Sequence, residues 1–245
     1  PQGAIIDRFE YVVLDKPRDP ESTPDSPKEI AKEKPLADSP AQIPPVAPPK
    51  PSSTVDDDGF TPLLDKNHQG GWKYAGTGEV KDDNGTFSMW HPHPHSTDVG
   101  MYWYAARTFT DFVLRLEFMT TDSGVNSGIF LRTPALRDGP QTLWIDGSYE
   151  IEILGEKTGA IPWVKPSPDR IMPFKANTWN DYEITVSGQD YSVKLNGVLI
   201  NKFTGNRNTS GYIAVQCFTD KLNAFRFRNV RIKEVAHVAA DEPGR

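Results

Sequence analysis

The chain has 245 residues and a net charge of −6, with 27 basic and 33 acidic side chains mixed along it. This length allows one large or two smaller domains, and the acidic balance argues against a nucleic-acid partner, which needs a basic surface. No apolar run approaches the roughly 20 residues of a membrane span. The one cysteine, Cys217, has no partner for an intrachain disulfide, and we predict that it is a small core residue on a strand.

The first 55 residues differ from the rest in composition. Residues 1–15 contain the run "GAIIDRFEYVVLD", which predicts a strand that is the tail of a preceding domain or docks on another sheet. Residues 16–55 are rich in proline, which cannot support a strand ladder, so they are predicted to form an extended linker. We expect a neighbouring domain or a partner chain to contact residues 1–55.

From residue 56 to 236 the pattern changes to short alternating runs with turn signals between them, followed by a tail at 237–245. Asn-Gly inside one run and Asp-Asn-Gly at 83–85 are hairpin and turn signals. No helix-period run exceeds a turn or two, so we predict an all-β jelly-roll sandwich of two antiparallel sheets. The predicted strand runs are 112–118, 127–133, 149–154, 181–187, 191–203 with its internal turn, 212–218 and 225–235.

The run "SYEIEIL" at 148–154 places two acidic side chains on one face of a strand. Tyr149, Ile151 and Ile153 alternate with Glu150 and Glu152. The Cα atoms of the two glutamates are about 6.5 to 7 Å apart along the strand, and two like charges that close repel. We therefore expect the pair to have a use, either as a carboxylate with a raised pKa or as a cation ligand.

Several motifs identify a family. They include "GFTPLLD" at 59–65, "NSGIFLR" at 126–132, "YEIEIL" at 149–154, "WNDYEITVSG" at 179–188 and "GYIAVQ" at 211–216. In order and spacing, residues 59 to 235 resemble the 3-keto-disaccharide hydrolase domain family, formerly a domain of unknown function. The resemblance implies a concanavalin-like, LamG-like jelly roll whose concave face holds sugar.

Polar residues on these motifs are the candidate site. If the polar faces of the strands line the concave sheet together, the side chains that converge there are Glu117, Asn126, Arg132, Glu150, Glu152 and Gln216. A solvated outer face is the alternative for each strand. Two aromatic residues in loops, Trp144 and Trp163, are candidates for stacking on sugar, and Lys157 for contacting its hydroxyl groups.

The chemistry that the resemblance implies begins at a C3 ketone, which acidifies the hydrogen on C2. A carboxylate removes that proton, the enolate expels the group on C1, and water adds to the enone. We expect Glu150 or Glu152 as the base and Arg132 as the electrostatic clamp, with Glu117, Asn126, Lys157, Trp163 and Gln216 binding substrate.

Two other tasks for the carboxylates remain open. The glutamate pair could hold a divalent cation, for which Ca²⁺ or Mn²⁺ suits oxygen ligands. Alternatively, Glu117 facing Glu150 across the sugar could cleave a glycoside directly, which requires carboxyl groups about 5 to 9.5 Å apart.

The motif "HPHPH" puts His91, His93 and His95 at alternating positions, which in an extended segment would share a face and could bind a metal. The alternative is an ordinary loop between strands, and no carboxylate or cysteine stands at ligand spacing.

Three functions follow from these patterns. The first is an enzyme that cleaves 3-keto-glycosides, the second a carbohydrate-binding module of a larger secreted protein, and the third a structural domain of an assembly. The acidic, sugar-facing domain and the proline-rich tether favour an exported protein, either extracellular or periplasmic.

Overall fold

The computed structural model describes residues 59–94, 97–139, 141–142 and 145–236, which form thirteen strands and one 3-10 turn at Gly155–Lys157. The N-terminal run, the proline-rich segment and the C-terminal tail discussed above lie outside these residues. The strands are β1 Thr61–Leu64, β2 Trp72–Ala75, β3 Glu79–Asp83, β4 Thr86–Trp90, β5 Gly100–Phe109, β6 Phe112–Thr120, β7 Ser127–Thr133, β8 Tyr149–Ile153, β9 Asn180–Ser187, β10 Asp190–Leu195, β11 Val198–Thr204, β12 Gly211–Cys217 and β13 Phe225–Glu234.

The strands form two antiparallel sheets. The eight-stranded sheet has the order β11-β10-β9-β6-β13-β4-β3, with β1 paired to β13, and the five-stranded sheet has the order β2-β5-β12-β7-β8. The predicted all-β sandwich is confirmed. Among the described residues, no helix is long and apolar enough to cross a membrane.

Two hairpin turns follow directly from the sequence. At Asn84-Gly85, φ is 50° and 86°, and at Asn196-Gly197 it is 49° and 78°. These left-handed conformations suit asparagine and glycine and match the twist of a two-residue hairpin. The turns join β3 to β4 and β10 to β11 in the predicted places.

The main core lies between the sheets and follows the two-residue period of the strands. Tyr149, Ile151 and Ile153 of β8 point inward, as predicted, and all three are buried. Cys217 is also in this core, 1% exposed, which confirms its predicted role. The sequence pattern does not reveal β1 to β4, since they are only four or five residues long and β3 is almost wholly polar.

A second, smaller apolar cluster covers part of the outer face of the five-stranded sheet. Met101, Trp103, Phe130 and Ala214 belong to it, and Ile145 covers them from the loop before β8. Side chains on this outer face are therefore buried although they do not point between the sheets. The acidic pair of β8 lies beside this cluster.

Candidate functional site

Polar side chains from three adjacent strands meet on the outer face of the five-stranded sheet. Glu152 of β8 pairs with Gly128 of β7, and Glu150 pairs with Phe130. On the other side of β7, Val215 pairs with Ile129, so the next residue of β12, Gln216, stands opposite Gly128. The bridge between Asn126 and Phe218 continues the same register. We call this surface the site face, and its members are Asn126, Gly128, Phe130, Glu150, Glu152, Gln216 and Phe218.

Gly128 forms the floor of the site face. A Cβ atom at this position would lie 2.3 Å from Oε1 of Glu150 and 2.8 Å from its Cγ. The carboxyl group of Glu150 therefore lies in the space that a side chain at 128 would fill. That space is between Glu152 and Gln216, which flank Gly128 in the register.

The two glutamates are buried, 7% and 8% exposed, and no hydrogen bond to either carboxyl group is formed within the described residues. Burial, and then the charge of Glu152, hold the pKa of Glu150 well above its ordinary value. Burial raises the pKa of Glu152 from 4.5 to about 7, although the Lys157 ammonium opposes this rise. The two carboxyl groups therefore titrate as a coupled pair, and burial favours their protonated forms.

Gln216 and Asn126 carry amide groups whose hydrogen-bonding capacity is not used. Gln216 is completely buried, and neither its Nε2 nor its Oε1 has a hydrogen-bond partner among the described residues. The same holds for the buried Oδ1 of Asn126. A buried polar group without a partner costs about 1 to 3 kcal/mol. Two such groups on one face, beside two buried carboxyl groups, indicate a surface that is complete only when a polar ligand or water binds.

The rim beyond Glu150 is a shallow cleft with a cavity volume of about 10 Å³, lined by Trp163, Phe130, Ser148 and Arg207. The indole of Trp163 is 62% exposed, as its predicted role in stacking would require. Lys157 lies in the 3-10 turn after β8 and is also exposed, close enough to act on Glu152 electrostatically. The predicted rim residue Trp144 lies outside the described residues.

Arg132 does not reach the site face, and the prediction that it shares a face with Asn126 and Phe130 is wrong. The register of β7 against β12 shifts near its end, and φ of Arg132 is 55°, so the strand alternation breaks there. Its side chain is 1% exposed and forms an ion pair with Asp111 at 2.9 Å. The guanidinium also donates to the carbonyl oxygens of Thr110 and Gly188. Arg132 therefore ties the two sheets together, since β6 begins next to Asp111.

Glu117 is also absent from the site face, because its strand belongs to the other sheet. Its carboxylate accepts from Nε of Arg228 at 2.6 Å and from Nδ2 of Asn229 at 2.8 Å. Arg228 in turn lies over the Trp179 ring, 4.0 Å from its centroid. The expected arrangement of Glu117 facing Glu150 across a sugar is wrong, since the two residues belong to different sheets.

The predicted histidine face does not form either. His91 is fully buried, with its Nε2 2.8 Å from Oγ1 of Thr77 and 3.1 Å from Oδ1 of Asp98. Its Nδ1 accepts from the backbone N–H of His93, at 3.3 Å, which makes His91 an anchor for the loop. His93 is exposed, and His95 lies outside the described residues. No group of three or more His, Cys, Asp or Glu side chains within the described part of the chain is placed to hold a metal ion.

The glutamate pair was identifiable from sequence because strand alternation places it on one face. The role of Gly128 was not, although the glycine stands inside the quoted motif at 126–132. The available signal was a glycine inside a predicted strand run, since such a residue often marks close approach by another group. Phe218, at the end of β12, gave no such signal.

The model of the family described as the 3-keto-alpha-glucoside-1,2-lyase-like domain matches residues 59–233. No curated protein matches the chain.

Among solved structures, a candidate glycosyl hydrolase of Parabacteroides distasonis ATCC 8503 is 21% identical, with a TM-score of 0.56, 73% of this chain covered and 100% of that one. Another from the same organism is 22% identical, with a TM-score of 0.52 and coverage of 73% and 84%. The exoplasmic domain of VIP36, bound to Ca²⁺ and Man3GlcNAc, is 13% identical, with a TM-score of 0.52 and coverage of 74% and 90%. At these identities the structures establish the shared fold.

Proposed function

The chain belongs to the family of 3-keto-alpha-glucoside-1,2-lyase-like domains, and from that premise we propose that it cleaves 3-keto-glycosides by removing the proton from C2. The observation that carries the proposal is the pair of buried glutamates, Glu150 and Glu152, which have no hydrogen-bond partner among the described residues and lie beside an unpartnered amide. A purely structural face has no reason to keep three such groups together, because each one opposes folding.

In this proposal Glu152 is the base. A carboxylate with a pKa of about 7 is ionised in a large fraction of molecules at neutral pH and is still basic enough to accept a proton. It takes the proton from C2, and the electron pair of the C–H bond forms the C2–C3 double bond of an enolate. The negative charge then resides on the oxygen at C3.

The amide N–H of Gln216 is the donor that we assign to this oxygen. Gln216 and Glu152 are separated by Gly128, so their Cα atoms are about 9.5 Å apart across two strand spacings. A sugar ring above Gly128, outside the Glu150 carboxyl that covers it, would therefore lie between the base and the donor. A fixed, unpartnered donor stabilises developing charge better than water does, since it needs no reorganisation.

We assign the general-acid role to Glu150. Burial and the neighbouring Glu152 raise its pKa, which favours the protonated form that this role requires. When the enolate collapses back to the ketone, the C1–O bond breaks, and Glu150 gives its proton to the departing oxygen. Water then adds to the enone at C1, which completes the net hydrolysis. Two carboxyl groups whose environments separate their pKa values are suited to these opposite tasks.

The test is product formation from a 3-keto-disaccharide by the purified chain, compared with Glu150→Gln and Glu152→Gln. We expect each variant to lose about 10²- to 10⁴-fold in turnover, the range that general acid–base catalysis supplies. Glu156→Gln, an exposed glutamate in the adjacent turn, is the matched control and should keep full turnover. Full turnover in both buried variants, with the fold intact, would show that the proposed base is wrong.

The second candidate is a binding module that holds sugar on the site face without chemistry. The observation in its favour is the shared fold with the VIP36 domain, whose structure contains a bound Man3GlcNAc. Binding alone does not require a carboxylate of raised pKa, which is why we prefer the enzyme. Saturable binding of a 3-keto-disaccharide with no product over hours would reverse this preference.

We extend the proposal to location. An acidic sugar-cleaving domain on a proline-rich tether fits an exported protein, extracellular or periplasmic. Fractionation of the native cells tests this, and recovery of the protein only from the cytoplasm would contradict it.

A further inference from the structure

We propose that a hollow at the far end of the site face binds the second sugar ring of the substrate, the ring that departs with the C1 oxygen. We call it the Pro92 hollow. It has a cavity volume of about 580 Å³, and its lining includes Pro92, Pro94, Asp122, Asn126, Phe218 and Lys221. This inference rests on the proposed function, because that function places the first ring above Gly128.

The position of the hollow follows from the register of the sheet. Asn126 precedes Gly128 by two residues on the same face of the chain, and its bridge partner is Phe218. Successive rows on one face of a strand are about 6.5 to 7 Å apart. A ring above Gly128 therefore has the row of Asn126 and Phe218 as its neighbour, at the distance of the next ring of a linked sugar.

The volume of the hollow favours this end of the site face. The cleft at Trp163 has a cavity volume of about 10 Å³, far below the roughly 300 Å³ at which ligand pockets begin. The Pro92 hollow, at about 580 Å³, exceeds that value. The second ring is therefore assigned to the hollow, and Trp163 remains a wall for the first ring.

The chemistry of the lining suits a sugar. A pyranose presents C–H groups on its faces and hydroxyl groups on its edges. Phe218 offers a half-buried aromatic ring, and the buried Oδ1 of Asn126 lacks a hydrogen-bond partner among the described residues. A hydroxyl group can satisfy that amide in either orientation, since it both donates and accepts. Lys221 adds an exposed ammonium at the mouth.

The walls of the hollow are held in place before any ligand arrives. The N–H of His91 donates to the carbonyl oxygen of Thr219 at 2.9 Å, and the N–H of His93 donates to Nδ1 of His91. The indole of Trp90 donates to the carbonyl oxygen of Asp220 at 2.7 Å. The buried histidine of the "HPHPH" motif thus has a structural role, because it holds the segment with Pro92 and Pro94 in place. A preformed site loses less entropy on binding.

The test uses the full chain carrying Glu152→Gln, so that ligand is bound and not consumed. Calorimetry measures affinity for two probes, a 3-keto-glucosyl-glucose and methyl 3-keto-glucoside, which lacks the second ring. We expect the disaccharide to bind about tenfold more tightly. Adding Phe218→Leu or Asn126→Ala should remove most of this advantage and change the affinity for the methyl glycoside by less than about twofold.

Phe218→Leu keeps an apolar side chain in place, and thermal unfolding verifies that the fold survives. Lys175→Ala changes an exposed lysine in the loop before β9 of the eight-stranded sheet and is the control, expected to leave both affinities unchanged. Equal affinities for the two probes, or an equal loss for both in the Phe218 and Asn126 variants, would overturn the inference. Failure of the proposed function is a separate result, since it would appear as absence of product from the disaccharide while the contrast in binding persists.

Discussion

Glu152→Gln should make the protein more stable at pH 8 and leave its stability nearly unchanged at pH 4. The folded protein holds the pKa of Glu152 at about 7, against 4.5 for an ordinary glutamate. Between these values the folded state binds more protons than the unfolded state, so wild-type stability falls as pH rises through this window. Glutamine has the same shape and no charge, so the variant does not suffer this loss.

The magnitude follows from the shift in pKa. A difference of 2.5 units, from 4.5 to about 7, corresponds to about 3 kcal/mol at 1.36 kcal/mol per unit. The gain in the free energy of unfolding should therefore be about 3 kcal/mol above pH 7 and close to zero below pH 4.5. Burial and the charge of Glu152 also raise the pKa of Glu150, in the same direction.

Urea denaturation, followed by tryptophan fluorescence at several pH values from 4 to 8, measures this difference. Glu183→Gln provides a control of opposite sign. Although burial opposes it, hydrogen bonds from Lys194 and Arg115 lower the pKa of Glu183 overall. That carboxylate stabilises the fold above its unfolded pKa and ceases to do so as pH falls through the folded one, so its variant should be less stable at pH 7, by about 1 kcal/mol or less.

The reasoning would be refuted if Glu152→Gln matched wild type within about 0.5 kcal/mol at both ends of the pH range, since ordinary surface substitutions stay within that margin. Such a result would mean that Glu152 is well solvated. It would then lack the raised pKa that makes it a base at neutral pH.

Three further predictions concern other parts of the account. Arg132→Met should lower the free energy of unfolding by about 3 to 5 kcal/mol, because it removes the guanidinium that forms the ion pair with the buried carboxylate of Asp111, and urea titration measures it; an unchanged midpoint would contradict the structural role. Gly128→Ala should reduce kcat/KM by about 10²-fold while the protein stays folded, because the new methyl group displaces the carboxyl of Glu150; unchanged kinetics would show that Gly128 is not the floor of the site face. For wild type, kcat/KM should rise with pH through about 7 as Glu152 ionises, and a flat profile from pH 5 to 8 would argue against its role as the base.

Local patterns predicted much of this molecule. Strand alternation placed Glu150 and Glu152 on one face, and Asn-Gly at 196–197 marked a two-residue hairpin, because both features depend only on neighbouring residues. Features that depend on contacts between distant parts of the chain were not predicted. Glu117 has a polar strand face like that of β8, but the strands that assign it to the other sheet, β9 and β13, pair with it at Asp181 and Arg228, far along the chain.

Arg132 shows a second limit. Period-two alternation would put its side chain on the same strand face as Gly128, but a bulge at the end of β7 turns it inward to Asp111. The bulge arises from the register against β12, so β7 alone does not indicate it. The prediction for His91 was wrong for a related reason, since its buried contacts to Thr77 and Asp98 come from loops that fold back onto it.

The central claim is that Glu152 removes the proton from C2, and the most direct measurement follows that hydrogen. A 3-keto-disaccharide with deuterium at C2 is incubated with wild type in ordinary water, and the released keto-sugar is analysed by mass spectrometry, with enzyme-free product as the control for spontaneous exchange. The account predicts that the released sugar has lost deuterium, that turnover is slower than with the unlabelled compound, and that Glu152→Gln abolishes both effects. A released sugar that keeps its deuterium, formed at the rate of the unlabelled substrate, would contradict it.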